Sequence, residues 1–356
     1  MSWTKLARRT FLGAASTFML ASQKGLGIMV NSNLQTDSPS IELDVDQSEQ
    51  NRFDVIVIGG NFAGLSAALQ IARTRRQVLV VDAGKPRNRF AEASHGFLGQ
   101  DGRSPEQIAQ MGREQLLAYP TAHFVEGKAT RAERQQDGSL MVELESGMSY
   151  QSQRIILAIG VVDHLPEIPG LAERWGKTVN QCPYCHGYEL AGGSWGVLYT
   201  GEASLHQVKL MLDWSDNVIL FSNGSDQLSA DIRTDLESHG ITIESTPVES
   251  LVGEGESLSG VKLKDQRTIP IKALFVITQS SIASPLVSQL GCELEDEAFG
   301  PMIKTSNLKE TTTAGVFAAG DIARPFANAT LAAADGVLAG IFAHQSLVVS
   351  SNPYHR

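Results

Sequence analysis

The stretch CPYCHG, from Cys182 to Gly187, holds the side chains with the clearest chemical potential in this sequence. Two cysteines separated by two residues place their sulfur atoms close enough for an easily formed disulfide, and such a motif lowers the pKa of one thiol. Followed by His186, the same motif is also that of a covalent c-type haem attachment site. Haem would further need an axial ligand and a pocket of its own size. A structural zinc site is less favoured, because the sequence offers no second ligand pair at suitable spacing.

Length and composition indicate an ordinary globular protein. The 356 residues are enough for two domains, and a hydrophobic content of 42% is ample for packed cores. The 39 acidic and 29 basic side chains give a net charge of -10, which argues against a nucleic-acid partner. Three cysteines in a chain of this size do not make a disulfide framework. Cys292 lies apart from the motif, and we interpret it as a small buried apolar side chain.

The N-terminal segment is typical of an exported protein. Arg8 and Arg9 precede a Phe-Leu pair and a weakly apolar run, Phe11 to Ala21, that is too short to span a bilayer comfortably. This layout predicts a twin-arginine signal over residues 1–32, with an ordinary secretory signal as the alternative. Because no clean Ala-x-Ala cleavage site follows, an uncleaved membrane anchor stays open. Residues 33–51 are polar and acidic and predict a linker, so the mature protein is expected in the periplasm or another extracytoplasmic space.

A strand, a glycine turn, a helix, a second strand and an acid follow the linker in that order. FDVIVI, from Phe53 to Ile58, predicts a parallel strand buried on both faces. GGNFAG comes next, Leu65 to Arg73 has helical spacing, and VLVVD ends at Asp82. This is the βαβ dinucleotide-binding fingerprint in its proper context.

The residues of the fingerprint have separate tasks. Gly59 permits a tight turn, and Gly64 permits close packing of helix and strand, while the helix N-terminus offers free N–H groups to a pyrophosphate. Asp82 can accept hydrogen bonds from ribose hydroxyls. Asn61 replaces the middle glycine of the fingerprint, although Gly60 beside it still permits close backbone approach. The predicted cofactor-binding residues of this turn are Gly59, Gly60, Asn61, Ala63, Gly64 and Asp82.

A second motif near the other end identifies the cofactor. TTTAGVFAAGD, from Thr311 to Asp321, predicts a short apolar strand closed by Gly-Asp and is followed by a helical segment, Ala329 to His344. It resembles the second FAD motif of the pyridine-nucleotide disulfide oxidoreductases. In that family the Asp bonds the ribityl chain and the next helix points its N-terminus at the flavin. The resemblance implies FAD as the tightly held cofactor, with Gly320 and Asp321 among its ligands.

The order of motifs is similar to that of the thioredoxin-reductase family over nearly everything after the linker. It runs from the FAD fingerprint through LAIG (Leu157 to Gly160) and an insert with Cys-x-x-Cys to the terminal AAGD. The resemblance implies an α/β fold with two Rossmann-like, three-layer domains. It divides an FAD-binding domain between 52–165 and 281–347, around a nucleotide-domain-like module at 166–280. Residues 348–356 are left as a tail, and a homodimer is implied.

Within that family, three segments are most like the dithiol-oxidase branch, which closes disulfides in fungal epidithiodiketopiperazine and related bacterial metabolites. They are HGFLGQDG (His95 to Gly102), CPYCHGYE, and LHQ at Leu205 to Gln207. The family pattern implies that Cys182 exchanges with the substrate and Cys185 faces the flavin. His186 stands where the family usually has Asp and is a candidate acid or base toward a substrate thiol. A His186 ring that only packs or caps a turn is the alternative, and His95 is either an active-site residue or an ordinary histidine.

The insert departs from the family where the family binds NADPH. Tyr199 and Thr200 stand in place of glycines, and a Tyr side chain would fill the space that the pyrophosphate needs. After the strand VILF the family carries arginines for the 2'-phosphate, whereas this chain has SNGSD, Ser222 to Asp226. We therefore predict that the module keeps its fold but does not bind NADPH. Whether it binds another ligand stays open.

These observations predict an exported FAD enzyme that oxidises a dithiol, either a small molecule or a protein, to a disulfide. Electrons would pass from the substrate to the Cys182–Cys185 disulfide, then to FAD, then to oxygen or another acceptor, with oxygen as the default. The alternative is a disulfide reductase of the thioredoxin-reductase type, supplied by NADPH bound in an unfamiliar manner, by a second flavin or by a ferredoxin-like donor. A second alternative is a binding protein whose flavin has no catalytic role.

Overall fold

The computed structural model describes residues 51–349. The predicted export signal, the linker up to residue 50 and the tail from residue 350 lie outside the described residues. The helices are α1 (Phe62–Arg73), α2 (Pro105–Leu117), α3 (Pro183–Leu190), α4 (Glu202–Leu210), α5 (Ala230–Ser238), α6 (Leu286–Gln289) and α7 (Ala329–Val348). The strands are β1 (Arg52–Ile58), β2 (Val78–Asp82), β3 (Ala122–Glu126), β4 (Ala129–Arg134), β5 (Leu140–Leu144), β6 (Ser149–Leu157), β7 (Val162–His164), β8 (Val179–Asn180), β9 (Trp195–Leu198), β10 (Val218–Phe221), β11 (Thr242–Glu244), β12 (Val248–Val252), β13 (Gly260–Leu263), β14 (Thr268–Ile269), β15 (Ala273–Val276), β16 (Gln279–Ser281), β17 (Leu294–Glu297), β18 (Gly300–Ile303) and β19 (Val316–Ala318).

The larger sheet contains the strand that the sequence predicts to be buried on both faces. Its order is β3-β2-β1-β6-β5-β4, and β19 pairs with the C-terminal half of β6. β1 runs parallel to β2 and β6, and its residues Val55, Ile56 and Val57 are fully buried. Strands from both ends of the chain therefore form one sheet, as the split FAD-binding domain requires. The exact domain boundaries stay predictions.

Two helices from opposite ends of the chain pack together on one face of this sheet. α1 begins at Phe62, three residues before the helical spacing is visible in the sequence, and α7 continues to Val348. A Cβ at Gly336 would lie 2.0 Å from the Ala63 carbonyl oxygen, so α7 can only contact α1 through glycine at this point. The length and apolar composition of α7 also satisfy a simple criterion for a membrane-crossing helix, but its contact with α1 gives it a place in the folded domain.

The inserted module has a second, parallel sheet of order β11-β10-β9-β15-β8. All four residues of β9, β10 and β15 are buried, as expected where helices cover both faces of a parallel sheet. The antiparallel strands β12, β13 and β14 add a small sheet. The chain enters and leaves the module through β7 and β16, which pair with each other. The fold is thus α/β with two Rossmann-like domains.

Candidate active site

The turn between β1 and α1 is shaped by glycines that no other residue can replace. Gly59 has φ +108°, and a Cβ there would lie 2.2 Å from the Ala158 carbonyl oxygen. A Cβ at Gly64 would lie 1.7 Å from the carbonyl oxygen of Gly59. Real Cβ atoms do not approach backbone this closely, so α1 meets β1 only because residue 64 has no side chain. This geometry fits the turn and packing roles that the sequence predicts for the two glycines.

The middle of the turn shows why Asn61 can replace a glycine. Asn61 has φ −104°, an ordinary extended conformation, and its side-chain oxygen accepts a hydrogen bond from the backbone N–H of Phe62 at 2.9 Å. It thereby caps α1, and its amide also donates to the side chain of Asn88 at 3.2 Å. Gly60 donates its backbone N–H to one carboxylate oxygen of Asp82 at 3.0 Å. The acid and the turn are therefore held together at the end of the sheet.

The AAGD motif reaches the same turn from the other end of the chain. Gly320 has φ +81°, and a Cβ there would lie 3.0 Å from the Cβ of Ala63. Asn328 caps α7 by accepting hydrogen bonds from the N–H groups of its first turn. Asp321 accepts a hydrogen bond from Arg87 at 2.9 Å. The structure thus brings together all eight predicted cofactor-binding residues, Gly59, Gly60, Asn61, Ala63, Gly64, Asp82, Gly320 and Asp321.

These residues fit FAD. The glycine turn leads tightly into the N-terminus of α1, and the N–H groups of the first turn of a helix suit a pyrophosphate. Asp82 has a carboxylate available to ribose hydroxyls, and Asp321 lies at the start of the segment that leads to the capped α7. The pyrophosphate, a ribose and the ribityl chain would therefore each have a donor or acceptor of the matching kind.

The cysteine pair lies at the start of α3. Cys182 is the N-cap residue, and Pro183 occupies the first helical position, where its missing N–H costs nothing. A hydrogen bond with the Cys185 side chain lowers the pKa of the Cys182 thiol; burial opposes this, and the backbone N–H groups of Cys185 and Tyr184 favour it. The hydrogen bond with Cys182 and burial raise the pKa of Cys185. Of the two sulfur atoms, that of Cys182 is the one that ionises first.

We expect Cys182 to react with iodoacetamide at pH values below 9.0, the ordinary pKa of a thiol. The thiolate is the reactive form, so lowering its pKa moves the rise of the alkylation rate to lower pH. Mass spectrometry of the reduced protein across pH would locate the label. Cys292, which is buried, is the internal reference and should stay unlabelled. Equal labelling of Cys182 and Cys185 at neutral pH would contradict the assignment.

A group of titratable side chains lies beside the cysteines. Burial lowers the pKa of His186, Glu189 acts to raise it, and the charge of His95 acts to lower it. His95 Nε2 lies 3.3 Å from a carboxylate oxygen of Glu189. The structure therefore places His95 at helix α3, which favours the active-site alternative for this residue. In the described part of the chain, no group of three or more His, Cys, Asp or Glu side chains could hold a metal ion.

Sequence reasoning missed Arg87, which lies between the cysteine segment and the AAGD motif. Its guanidinium bonds Asp163 and Asp321, and it reaches the side chain of Gln181 at 3.3 Å. The available signal was weak: one of the two Arg residues in PRNRF, and two acids that follow the apolar segments LAIG and VFAAG. Nothing in their spacing pairs them.

The segment that the sequence predicts to be a degenerate nucleotide site forms hydrogen bonds within the protein. Tyr199 donates its hydroxyl to Gln227, and Thr200 donates its hydroxyl to the Ile277 carbonyl oxygen at 2.8 Å. α4 begins directly after Gly201 with an acid, Glu202, at the end of the helix that favours anions. A phosphate in this position would meet a like charge. The Ser222–Asp226 segment that follows β10 supplies no Lys or Arg.

Comparison with known proteins identifies the family. Residues 53–336 match the model of the pyridine nucleotide-disulphide oxidoreductases. The chain is 31% identical to thioredoxin reductase tcpT of Claviceps purpurea over 315 residues, which cover 86% of this chain and 97% of that protein. A crystal structure of an oxidoreductase from Agrobacterium tumefaciens is 44% identical, with a TM-score of 0.79 over 83% of this chain and 99% of the other. A putative thioredoxin reductase from Bacillus anthracis is 29% identical, with a TM-score of 0.79 over 83% and 98%.

These comparisons bear unequally on the sequence predictions. The curated relatives carry the name thioredoxin reductase, which fits the reductase alternative better than a dithiol oxidase. The family description names a pyridine nucleotide, and so it does not support the prediction against NADPH. The family does imply FAD, and it favours a redox-active disulfide over haem at Cys-x-x-Cys. The chain belongs to the pyridine nucleotide-disulphide oxidoreductase family, as a thioredoxin-reductase-like, FAD-dependent disulfide oxidoreductase.

Proposed function

We propose that this enzyme oxidises a dithiol to a disulfide through Cys182 and Cys185, with FAD as the intermediate carrier and oxygen as the acceptor. The observation that carries the direction is Glu202 at the start of α4, together with a Ser222–Asp226 segment that contains no Lys or Arg. By contrast, the turn that suits FAD and the cysteine site are both complete. The residues that would bind NADPH are therefore a poor match for it, whereas the residues that would take electrons from a thiol are in place.

The exchange steps balance within the cysteine pair and its substrate. A substrate thiolate attacks Cys182 Sγ, the Cys182–Cys185 bond breaks, and Cys185 leaves with the electron pair and takes up a proton. The second substrate thiol loses its proton and attacks the first substrate sulfur, which forms the substrate disulfide and releases Cys182 as thiolate. The lowered pKa of Cys182 makes it a good leaving group in this second step. The pair is then reduced by two electrons.

Return of the pair to its disulfide form would need a two-electron acceptor beside the cysteines, and the residues that would hold one are those of the predicted FAD site. The α1 turn would hold the pyrophosphate, Asp82 a ribose, and Asp321 the ribityl chain of FAD. When bound, FAD supplies a two-electron acceptor that oxygen reoxidises with release of hydrogen peroxide. The protein itself keeps the Cys185 thiol protonated until the disulfide forms again, because the pKa of Cys185 is raised.

His186→Ala is expected to lower kcat/KM for a dithiol by about a hundredfold at neutral pH. Burial lowers the pKa of His186, so the ring is neutral at pH 7 and can accept a proton from a substrate thiol. Activity should fall as the pH drops through that lowered pKa, below 6.5, because the ring is then protonated. The variant should lack this acidic limb. His239→Ala, at an exposed helix end, is the matched control. An unchanged pH profile in His186→Ala would leave the ring a packing role only.

A disulfide reductase is the second candidate, and the names of the curated relatives favour it. Anaerobic titration separates the two. Bleaching of the flavin by dithiothreitol but not by NADPH, with recovery and peroxide release in air, supports the oxidase. Rapid bleaching by NADPH supports the reductase and overturns our interpretation of Tyr199, Thr200 and Glu202. A flavin that neither reagent bleaches overturns both and favours a non-catalytic flavin protein.

We further propose that the protein is a homodimer. α7 has exposed apolar side chains, namely Leu338, Ile341 and Val348, and apolar surface of this kind is more often covered in an assembly. Light scattering after size-exclusion chromatography should give twice the chain mass of 38.3 kDa. A monomer at micromolar concentration would contradict the proposal.

Export is proposed on the sequence alone, from Arg8, Arg9 and the apolar run that follows them. A reporter that needs the twin-arginine pathway, fused to residues 1–50, should leave the cytoplasm. Arg8→Lys together with Arg9→Lys should retain it there. Export that persists in the double variant would favour an ordinary secretory signal instead.

A further inference from the structure

Arg87 forms the densest set of side-chain bonds near the candidate active site. Its Nε and one terminal nitrogen meet the two carboxylate oxygens of Asp163 at 2.8 and 2.6 Å. The other terminal nitrogen meets Asp321 at 2.9 Å, and the first also reaches Gln181 Oε1 at 3.3 Å. The guanidinium thus uses its planar fork toward three different parts of the chain.

Those three parts are the ones whose relative position matters for electron transfer. Asp163 is the central residue of β7, where the chain enters the inserted module. Asp321 closes the AAGD motif of the cofactor site. Gln181 directly precedes Cys182. Thr278, 2% exposed and next to β16, adds bonds of 2.9 Å to Asp163 and 3.2 Å to Gln181.

The Arg87 network also extends into the module. Gln207 of α4 donates its side-chain N–H to the Gln181 carbonyl oxygen at 2.6 Å, so Gln181 is held from both sides. The Arg87, Asp163 and Asp321 side chains are all largely buried, with 23, 10 and 18% exposed. Burial lowers the pKa of Arg87, but the bonds with Asp163 and Asp321 outweigh it and raise that pKa overall. The cation is therefore fixed in the charged form.

We propose that Arg87 is a positioning residue that ties the segment in front of Cys182 to Asp321 and so fixes the cysteine pair relative to the flavin site. The inference rests on the cofactor fit and holds for either direction of electron flow. It assigns the network a task beyond stability, because a bond between Arg87 and Asp163 alone would only join the segment after β2 to β7. The bonds to Gln181 and Asp321 connect the two reacting partners.

Arg87→Met tests the proposal, and Arg131→Met is its matched control, since the exposed Arg131 bonds the Glu133 carboxylate at 2.7 Å. We expect Arg87→Met to slow flavin bleaching by dithiothreitol about tenfold or more. A second readout needs no flavin. Amide hydrogen exchange of the flavin-free protein should speed up about tenfold in β7, in β16 and around Gln181. Arg131→Met should change neither.

Arg87→Lys keeps the positive charge but loses the fork. The charge of Arg87 acts to lower the pKa of Cys185, so its loss in Arg87→Met should move the alkylation of Cys185 to higher pH. Arg87→Lys keeps the charge and should alkylate with the wild-type pH profile, but its flavin bleaching should stay slow. Wild-type bleaching and wild-type exchange in Arg87→Met would overturn the proposal. Lower thermal stability without either change would reduce Arg87 to a structural residue and overturn it as well. If Arg87→Met does not fold, Asp163→Asn takes its place, and the same two readouts decide.

Failure of the proposed function is a separate result. If dithiothreitol does not bleach the wild-type flavin but NADPH does, the dithiol-oxidase proposal falls. The Arg87 proposal is then tested with NADPH as reductant, by the rate at which the cysteine pair becomes available to iodoacetamide. The hydrogen-exchange readout is the same in both cases.

Discussion

Cys185→Ser is expected to abolish flavin reduction by dithiols, with a fall of about a thousandfold or more in the bleaching rate. Without the second sulfur there is no internal disulfide for a dithiol to attack, and Cys182 alone, as a free thiol, cannot accept the electrons, so they have no route to the flavin. Serine keeps a hydroxyl donor next to Cys182, so the lowered pKa of Cys182 should largely persist. The loss would therefore report redox chemistry rather than a change in thiol ionisation. Anaerobic stopped-flow absorbance measures it directly.

Cys292→Ser is the control for this experiment. Cys292 is buried and its sulfur lies 3.5 Å from the Thr311 hydroxyl, far along the chain from the Cys-x-x-Cys motif. We expect its bleaching rate to match that of the wild type. Labelling of the Cys185→Ser variant with iodoacetamide should still find a reactive Cys182. A Cys185→Ser protein that bleaches at the wild-type rate would show that electrons bypass the pair, and both candidate functions would then need another entry point.

The parts of the site that sequence predicts well are those set by local steric rules. The glycine turn is visible because Gly59 and Gly64 lie where a Cβ would strike backbone, whatever the surrounding chain does. The AAGD end is also visible from a local rule, because Gly320 has a positive φ, which favours glycine. The Asn61 departure is harmless because that position needs no glycine. Both segments then meet because β1 and β19 each pair with β6.

The Arg87 network was not predictable, because its partners are ordinary charged residues far apart in sequence. Arg87 and Asp163 are 76 positions apart, and Arg87 and Asp321 are 234 apart. Their meeting depends on how the chain crosses between the two sheets, and no spacing rule encodes that. The pairing of His95 with Glu189 has the same origin. The cysteines and His186 could be predicted from the sequence, whereas the side chains that position them could be identified only in the folded structure.

Gly336→Ala is expected to destabilise the protein by about 3 kcal/mol and to lower its flavin content. A Cβ at Gly336 would lie 2.0 Å from the Ala63 carbonyl oxygen and 2.8 Å from its carbonyl carbon. Both are backbone atoms, so relief requires α7 to move away from α1. α7 also packs beside Gly320, where a Cβ would lie 3.9 Å from the Cβ of Ala332, so that movement would loosen the packing around the turn that fits the pyrophosphate. Urea denaturation and the ratio of flavin to protein measure the two effects.

Gly112→Ala is the matched control, because Gly112 is also an interior helical glycine. Its Cβ would meet only the Leu65 Cδ1 methyl at 3.2 Å, a side-chain atom that can move aside. Helix propensity favours alanine by about 0.5–1 kcal/mol at both positions, so propensity alone predicts that both variants gain stability. Packing instead predicts that Gly336→Ala loses stability and Gly112→Ala gains it. If Gly336→Ala gained stability like Gly112→Ala, α7 would not contact α1 as closely as described, and the joining of the two cofactor motifs through Ala63 would be wrong.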